Sequence, residues 1–360
     1  MPSKYTDPAH KKTEEVLKRT EKRIKEEYEK AQKEIYEKAT DYMRRFKIKD
    51  EIWQKWVAEQ SKTPEEYRKW RESQIMAGER WKALQNTIAT DMYNANMASN
   101  NIASSFIPEI YAINFNFGTY EVESTLGIDT GFTLYNKDAV MRIIEKDPAI
   151  YKRPGAATAK AIKEGKIIRW NKQKVQSVML QGILQGESIP NLAKRLAKET
   201  CDSDYRTAIR NARTMATGIQ NAGRLDAYAR AESMGIIMEQ EWRSVLDNRT
   251  RHNHRLLDGQ RRKIGEPFEV EGVKILYPGD IGAPSDMIYN CRCAVRGVIS
   301  GMEPQSRKYR DDSAIKGVSY DTWQNTRQSE SNPITLQAEK GEAIRNYYNR
   351  MYRNGGRIRD

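Results

Sequence analysis

The chain has 360 residues, of which 38% are hydrophobic and 31% charged, and its 62 Lys and Arg outweigh 49 Asp and Glu for a formal net charge of +13. That length holds two domains, or one with extended helical arms, and the low apolar share favours helices with narrow buried stripes; the charge fits either a polyanionic partner such as nucleic acid or a basic solvated surface. No run approaches the roughly 20 apolar residues of a membrane span, no apolar core follows Met1-Pro2-Ser3-Lys4 as in a secretory signal, and three cysteines make no disulfide framework, so a reducing cytosol is the expected setting.

Residues 9–47 read as one charged helix. Leu17, Ile24 and Ala31 recur at seven, interleaved with Tyr28, Ile35 and Tyr42 at seven, which is an a/d stripe with lysine and glutamate elsewhere. Such a stripe serves either a solvated helix packed on its own protein or an arm docked on another subunit; its narrowness favours the arm. A second helix opens at Thr63-Pro64-Glu65-Glu66, a capping box with proline in the first turn. The pattern carries it to about Ser105, with Trp70, Trp81, Leu84, Ile88 and Met92 on its apolar side. Residues 107–133 contain Pro108, three glycines and Tyr111, Phe115, Phe117 and Tyr120, and read as strands or an irregular ordered segment.

A short helix is expected over 137–146. After Arg153-Pro154-Gly155 come three more, over about 172–182, 188–199 and 205–234, the last stopped by Gly235. The period then changes: 238–246, 268–276 and 294–299 read as strands. A polar tail with one helix over about 335–352 follows. The division expected is a charged helical arm (1–60), a helical region with an aromatic-rich insert (61–160), helices followed by a small sheet (161–300), and a tail (301–360). The fold class is mainly α, with long N-terminal helices, an irregular aromatic-rich middle segment and a small α+β C-terminal module.

Two of the three cysteines and two of the three histidines fall between Trp242 and Cys293. The segment reads Trp242, Asp247-Asn248-Arg249-Thr250-Arg251-His252-Asn253-His254, Asp258-Gly259, Pro267-Phe268, Tyr277-Pro278-Gly279-Asp280, Pro284 and Asn290-Cys291-Arg292-Cys293. This order of spaced residues, with Arg213-Thr214, Asn221-Ala222-Gly223-Arg224 and the run Gln181 to Ser188 upstream, resembles the Mu F-like family of phage head morphogenesis proteins, minor capsid proteins of tailed bacteriophages. The resemblance covers roughly residues 165–300.

It implies a structural, non-enzymatic virion protein, assembled in the host cytoplasm and recruited in few copies through the portal protein to the procapsid interior. There it would lie beside packaged double-stranded DNA, or leave with it, with scaffold or major capsid protein as further contacts and no membrane. Some family members carry cysteine in place of His254 and a histidine shortly before the Cys-x-Cys pair, where this chain has Ile288-Tyr289.

The residues of the window allow three chemistries. His254, Cys291 and Cys293 are good zinc ligands, with His252 or Asp247 as a fourth, although Cys-x-Cys is tighter than the usual structural zinc spacing. Alternatively the window is a stability cassette. Asp247 and Thr250 would then hold a turn, Arg249 or Arg251 would pair with Asp247 or Asp280, His254 would donate to a buried carbonyl, and the cysteines would fill small apolar positions, with Trp242, Gly259, Pro278 and Asn290 completing the frame. The third is catalysis. His252-Asn253-His254 spells HNH, but no acidic cluster accompanies it to hold a catalytic metal, and a Cys–His nucleophile pair lacks a recognisable oxyanion site.

Arg261-Arg262-Lys263 is a candidate phosphate-contacting cluster. Arg206, Arg210, Arg213 and Arg224 lie along one helix and face outward to phosphate, or Arg213 and Arg224 face inward as salt-bridge partners within the helical body. Cys201 reads as a small buried residue. A phage-delivered metal-dependent nuclease or other effector, and a DNA-binding protein acting outside the virion, are the competing functions.

Overall fold

The computed structural model describes residues 7–74, 78–132, 134–137, 140, 166–185, 187, 189–300 and 319–330. Helices α1 (Pro8–Ala58), α2 (Pro64–Glu72), α3 (Glu79–Ser105), α4 (Ile107–Leu126), α5 (Lys166–Leu184) and α6 (Ile189–Ser233) precede a small mixed region. That region contains β1 (Met238–Arg243), α7 (His252–Leu257), β2 (Arg261–Lys263), β3 (Phe268–Val270), β4 (Val273–Ile275), α8 (Ser285–Ile288) and β5 (Ala294–Ile299). Helix α9 (Tyr320–Glu330) comes last among the described residues. The architecture is mainly α with a small α+β module, as the sequence indicates. The helices expected over 137–146 and 335–352 fall outside the described residues, 137 and 140 excepted.

The chain divides into two compact units, one of residues 1–21, 103–156 and 210–360, the other of residues 22–102 and 157–209. In the second unit the α1 stripe is buried: Ile24 and Ile35 are fully enclosed, and Tyr28 and Ala31 nearly so. Tyr28 donates its hydroxyl to Asn96 and meets Tyr205 edge-on at 5.7 Å. Lys38 bonds Asp91 at 2.6 Å, and Gln32 donates to Asp202 at 3.1 Å. The stripe is therefore taken up by the chain's own α3 and α6, which corrects the expectation of an arm offering it to another subunit. A two-position stripe looked too narrow for an internal core because its partners, such as Ile88 and Met92, lie some distance along the chain.

Helix α2 begins as read, with Thr63 and Glu66 bonding each other's backbone N–H groups. It ends at Glu72 instead of running on to 105. A Cβ at Gly78 would stand 2.2 Å from the Ser73 carbonyl oxygen, so the close approach of residue 78 to the end of α2 requires glycine. Helix α6 is continuous where the sequence implied a break near Cys201-Asp202-Ser203-Asp204. The polar groups there are satisfied without leaving the helix: Thr200 Oγ1 donates to the Leu196 carbonyl at 2.6 Å, and Lys174 Nζ donates to the Thr200 carbonyl and the Ser203 hydroxyl at 2.7 and 2.6 Å.

In the first unit the largest departure from the sequence reading is α4. Its aromatic run is a helix, not strands or irregular chain. Pro108 sits in the first turn, where no N–H is needed, and Gly127 closes the helix in the left-handed region at φ 66°. Fourteen of its residues are buried, so apolar side chains point in all directions and the 3.6-residue period disappears from the sequence. A Cβ at Gly118 would lie 2.8 Å from the Ala227 methyl, and one at Gly223 would lie 2.8 Å from the Tyr111 carbonyl; glycine lets α4 and α6 approach at backbone distance.

Arg224, fully buried on α6, donates to Asn114 Oδ1 and the Val295 carbonyl, both at 3.2 Å, and pairs with Asp7. It faces inward as a carboxylate partner, as one of its two readings had it. Asp7 also caps α1, accepting the His10 N–H at 2.9 Å.

The sheet of the module is antiparallel in the order β2-β1-β5, with Trp242 opposite Val295 and Gln240 opposite Arg262 and Gly297. Residues 294–299 form the strand expected. Residues 268–276 form a hairpin and not one strand, turning at Glu271 and Gly272, both at positive φ (49° and 77°).

Candidate functional site

The site is built around Trp242, a fully buried side chain of β1, which meets His254 and Phe268 edge-on at 5.6 and 5.3 Å. After β1 the chain leaves the sheet through a turn organised by Asp247. Its Oδ1 accepts the Arg249 N–H at 3.0 Å and the Thr250 hydroxyl at 3.1 Å, while the Thr250 hydroxyl accepts the Asp247 N–H at 3.1 Å. Both carboxylate oxygens take a guanidinium N–H of Arg292 at 2.7 Å. Hydrogen bonding from Arg292, ahead of other causes, holds the Asp247 carboxyl well below the ordinary range. Arg249, by contrast, lies 3.5 Å from Asp247 with its side chain 74% exposed, and Arg251 donates to the Tyr289 carbonyl.

Helix α7 follows and carries His254 inward. Its Nε2 lies 2.8 Å from the Met287 carbonyl oxygen. A carbonyl only accepts, so Nε2 holds the proton and Nδ1 presents a lone pair. That lone pair faces Cys293 Sγ at 3.3 Å and Cys291 Sγ at 3.6 Å. All three residues are buried, and their three potential ligand atoms lie within 4.8 Å of one another. His252 is not among them. Two residues along a helix are about 200° apart around its axis, so burying His254 leaves His252 in solvent. Asp247, the other fourth ligand considered, is occupied by Arg292.

The Cys-x-Cys segment is fixed from α6. Thr217 Oγ1 donates to the Cys291 carbonyl at 2.6 Å, and Asn221 Nδ2 donates to the carbonyls of Pro278 at 3.0 Å and Cys293 at 3.3 Å. Asn221 Oδ1 accepts the Val295 N–H at 2.8 Å, so one buried amide joins α6, the 277–280 turn and β5. Gly279, at φ 80°, approaches the Gly218 backbone so closely that a Cβ would lie 2.6 Å from its nitrogen. Asp280 accepts the N–H groups of Leu276 and Gly282 at 3.2 and 3.0 Å, and Asn290 adopts φ 52° at the entrance to the cysteines. Gly259, at φ 79°, returns the chain to β1 by donating to the Trp242 carbonyl at 2.8 Å. Ser244 Oγ receives the Trp242 indole N–H at 3.0 Å, donates to the His254 carbonyl at 2.6 Å and stands 3.5 Å from Cys293 Sγ.

Of these side chains, Thr217, Ser244 and the role of Arg292 were not picked out from the sequence. Asn221 was noticed only as part of the upstream pattern. The cysteine pair titrates asymmetrically: the hydrogen bond from Cys291 holds Cys293 well below the ordinary thiol range, and giving that bond within a dry site pushes Cys291 well above it. His254, Cys291 and Cys293 line the floor of a cleft of about 460 Å³, whose walls include Val245, Thr250, Arg251, Thr217 and Lys18.

The basic residues are largely engaged within the chain. Arg261 bonds Glu241 at 3.0 Å across the strand pair, and Arg262 donates to the Arg261 carbonyl at 2.7 Å, while Lys263 is exposed. Arg213 bonds Glu21 at 2.6 Å, and Arg210 lies over the Tyr289 ring at 3.9 Å. Arg206 is exposed, and Cys201 is buried, its thiol pushed up to about 11 by desolvation.

Residues 173–296, which contain the whole site, match the family described as Phage Mu protein F like protein. The minor head protein GP7 of Bacillus phage SPP1 is 30% identical over 228 residues, covering 61% of this chain and 70% of that protein. The chain belongs to the Mu F-like family of phage head morphogenesis proteins. A second relative is the NAD(+)–arginine ADP-ribosyltransferase EFV of Enterococcus faecalis, 30% identical over 217 residues. That match covers 59% of this chain but only 43% of the relative. No solved structure matches. As a Mu F-like protein the chain is a phage head component by family, and none of its described helices is long and apolar enough to cross a membrane.

Proposed function

We propose that this Mu F-like chain is a structural minor capsid protein, recruited through the portal to the procapsid interior and lying beside packaged double-stranded DNA. The observation that carries the reading is the match to the SPP1 minor head protein over 70% of its length. The site geometry agrees with a structural role. Its polar groups are directed at backbone atoms of the module itself, through Asn221, Thr217, Ser244 and Asp247, in the manner of a frame that holds short strands in place. The net charge of +13 suits residence beside DNA at high density. Since Arg261, Arg213 and Arg224 are engaged within the chain, phosphate contact would fall to residues such as Lys263 and Arg206. Assembly in the host cytoplasm, contacts with scaffold or major capsid protein, and exit with the genome belong to the same reading.

The test is capture of the portal protein by full-length chain, together with mass spectrometry of procapsids and virions made by the encoding genome. Presence in particles in low copy and portal capture are the expected results; absence from both particle types overturns the reading. DNA binding is expected to be non-specific and to weaken steeply between low and physiological salt.

The ADP-ribosyltransferase relative favours one other reading, that the chain delivers or forms part of an effector. The chain spans less than half of that relative, so the likeness alone does not carry that protein's activity to this chain. NAD consumption with an arginine-rich acceptor protein, and nuclease assays with and without chelator, separate the two readings. Activity abolished by His254→Ala would favour the effector.

A further inference from the structure

The geometry of His254, Cys291 and Cys293 points to a zinc site with three protein ligands and a fourth position open to the cleft, and we propose that this chain binds one zinc ion there. The Met287 carbonyl fixes the proton on Nε2, the outer-shell arrangement that aims an imidazole lone pair at a metal. Two sulfurs face that single lone pair, at 3.3 and 3.6 Å. One nitrogen lone pair accepts one S–H, so hydrogen bonding alone cannot engage both thiols with the ring equally.

A cation resolves the crowding. With Zn–S near 2.3 Å and Zn–N near 2.1 Å, a tetrahedral ion sets its N···S edges at about 3.6 Å. The two observed N···S separations lie close to that edge, and the three ligand atoms fall within 4.8 Å of one another.

The surroundings suit a thiolate pair. The Cys293 N–H points at Cys291 Sγ at 3.4 Å, a donor that a metal-bound thiolate accepts, and Ser244 Oγ lies 3.5 Å from Cys293 Sγ. Soft thiolates with one imidazole select zinc over hard divalent cations. The ligand backbone is tied down independently of any ion, Cys291 by Thr217 and Cys293 by Asn221. All three ligands line the cleft, so the remaining tetrahedral corner is reached by solvent, and water is the fourth ligand. Such an ion would staple α7 to the Cys-x-Cys segment, across 37 residues between His254 and Cys291. The inference does not depend on portal or DNA association.

The test uses the full-length chain purified under reducing conditions without chelator. Metal analysis is expected to give about one zinc per chain. After exchange, cobalt is expected to show thiolate-to-metal charge transfer and the visible bands of a tetrahedral site. Zinc is expected to shield both cysteines from a thiol reagent until a strong chelator is added. His254→Cys, which exchanges one zinc ligand for another, should retain metal, while His254→Ala and Cys293→Ser should lower affinity at least tenfold. Failure of the unaltered chain to bind zinc or cobalt, or an unchanged cobalt spectrum in C291S/C293S, overturns the proposal. The measurements on the unaltered chain stand even where a variant fails to fold.

Discussion

The helical unit of residues 22–102 and 157–209 and the module of residues 238–300 are held together by opposite means. In the helical unit a stripe of ordinary apolar side chains supplies the cohesion, and the charges between them form exposed pairs such as Lys25–Glu29, with both side chains more than half exposed. In the module the strands are three to six residues long, too short to hold themselves by ladder and core. Position there is set by single polar side chains directed at particular backbone atoms. The first arrangement tolerates exchange of one apolar residue for another of like volume. The second does not, because each replacement leaves buried groups without partners.

The contrast is sharpest at Asn221. Asn221→Leu removes the donor to the Pro278 and Cys293 carbonyls and the acceptor of the Val295 N–H. With a penalty of 1–3 kcal/mol for each buried orphan, the loss should reach about 4 kcal/mol by denaturant unfolding. A loss no greater than that of Ile35→Val would collapse the distinction. Second in size is a pH effect within the α4 core. Burial raises the Glu121 carboxyl to about 7 against the pull of Arg224, and the Tyr228 hydroxyl donates to it at 2.5 Å.

The folded chain therefore binds a proton there that the unfolded chain has lost between about pH 4.5 and 7. This group's contribution is fully present below the lower value and disappears as pH rises through the upper one. Glu121→Gln should flatten the stability profile over that window by about 3 kcal/mol, read from unfolding at several pH values. A profile parallel to that of the unaltered chain would show that the carboxyl titrates normally. Asp247, with its pKa depressed by Arg292, has the opposite sign: its contribution is present at neutral pH and lost on acidification.

In the helical unit, Ile35→Val should cost about 1 kcal/mol, the usual result of removing one methylene from a packed site. Lys25→Ala should change stability by less than about 0.5 kcal/mol and lose even that in high salt. A larger, salt-sensitive effect would show that surface pairs matter more to this unit than its stripe.

What could be read from the sequence follows the same division. The α1 stripe, the Thr63–Glu66 cap and the 294–299 strand carry local signals of period or capping, and all three appear as read. Helix α4 did not, because burial on every side erases the period that identifies a helix. Nor did the α6 continuity, because the residues that look like a break at 201–204 are satisfied by Lys174 from another helix. The 271–272 turn was hidden by Glu271, a residue with no preference for positive φ. At the site, the rarity of histidine and cysteine marked His254, Cys291 and Cys293, which the fold brings together. The Met287 carbonyl that orients the ring has no side-chain signature, and Asn221 sits inside a helix where asparagine looks merely unfavourable.

Ala9, Phe117, Tyr120 and Tyr320 share one core cluster, with Trp323 packed beside it. Tyr320 meets Phe117 and Tyr120 at 5.3 Å, and Arg327 reaches back to Glu123 at 3.0 Å. During synthesis Tyr120 leaves the ribosome about 200 residues before Tyr320. At elongation rates of about 5–20 residues per second, its aromatic surface waits roughly 10–40 s for its cover. Translation speed, and any chaperone bound meanwhile, therefore set how much newly made chain closes this cluster before it meets another molecule with the same surface bare.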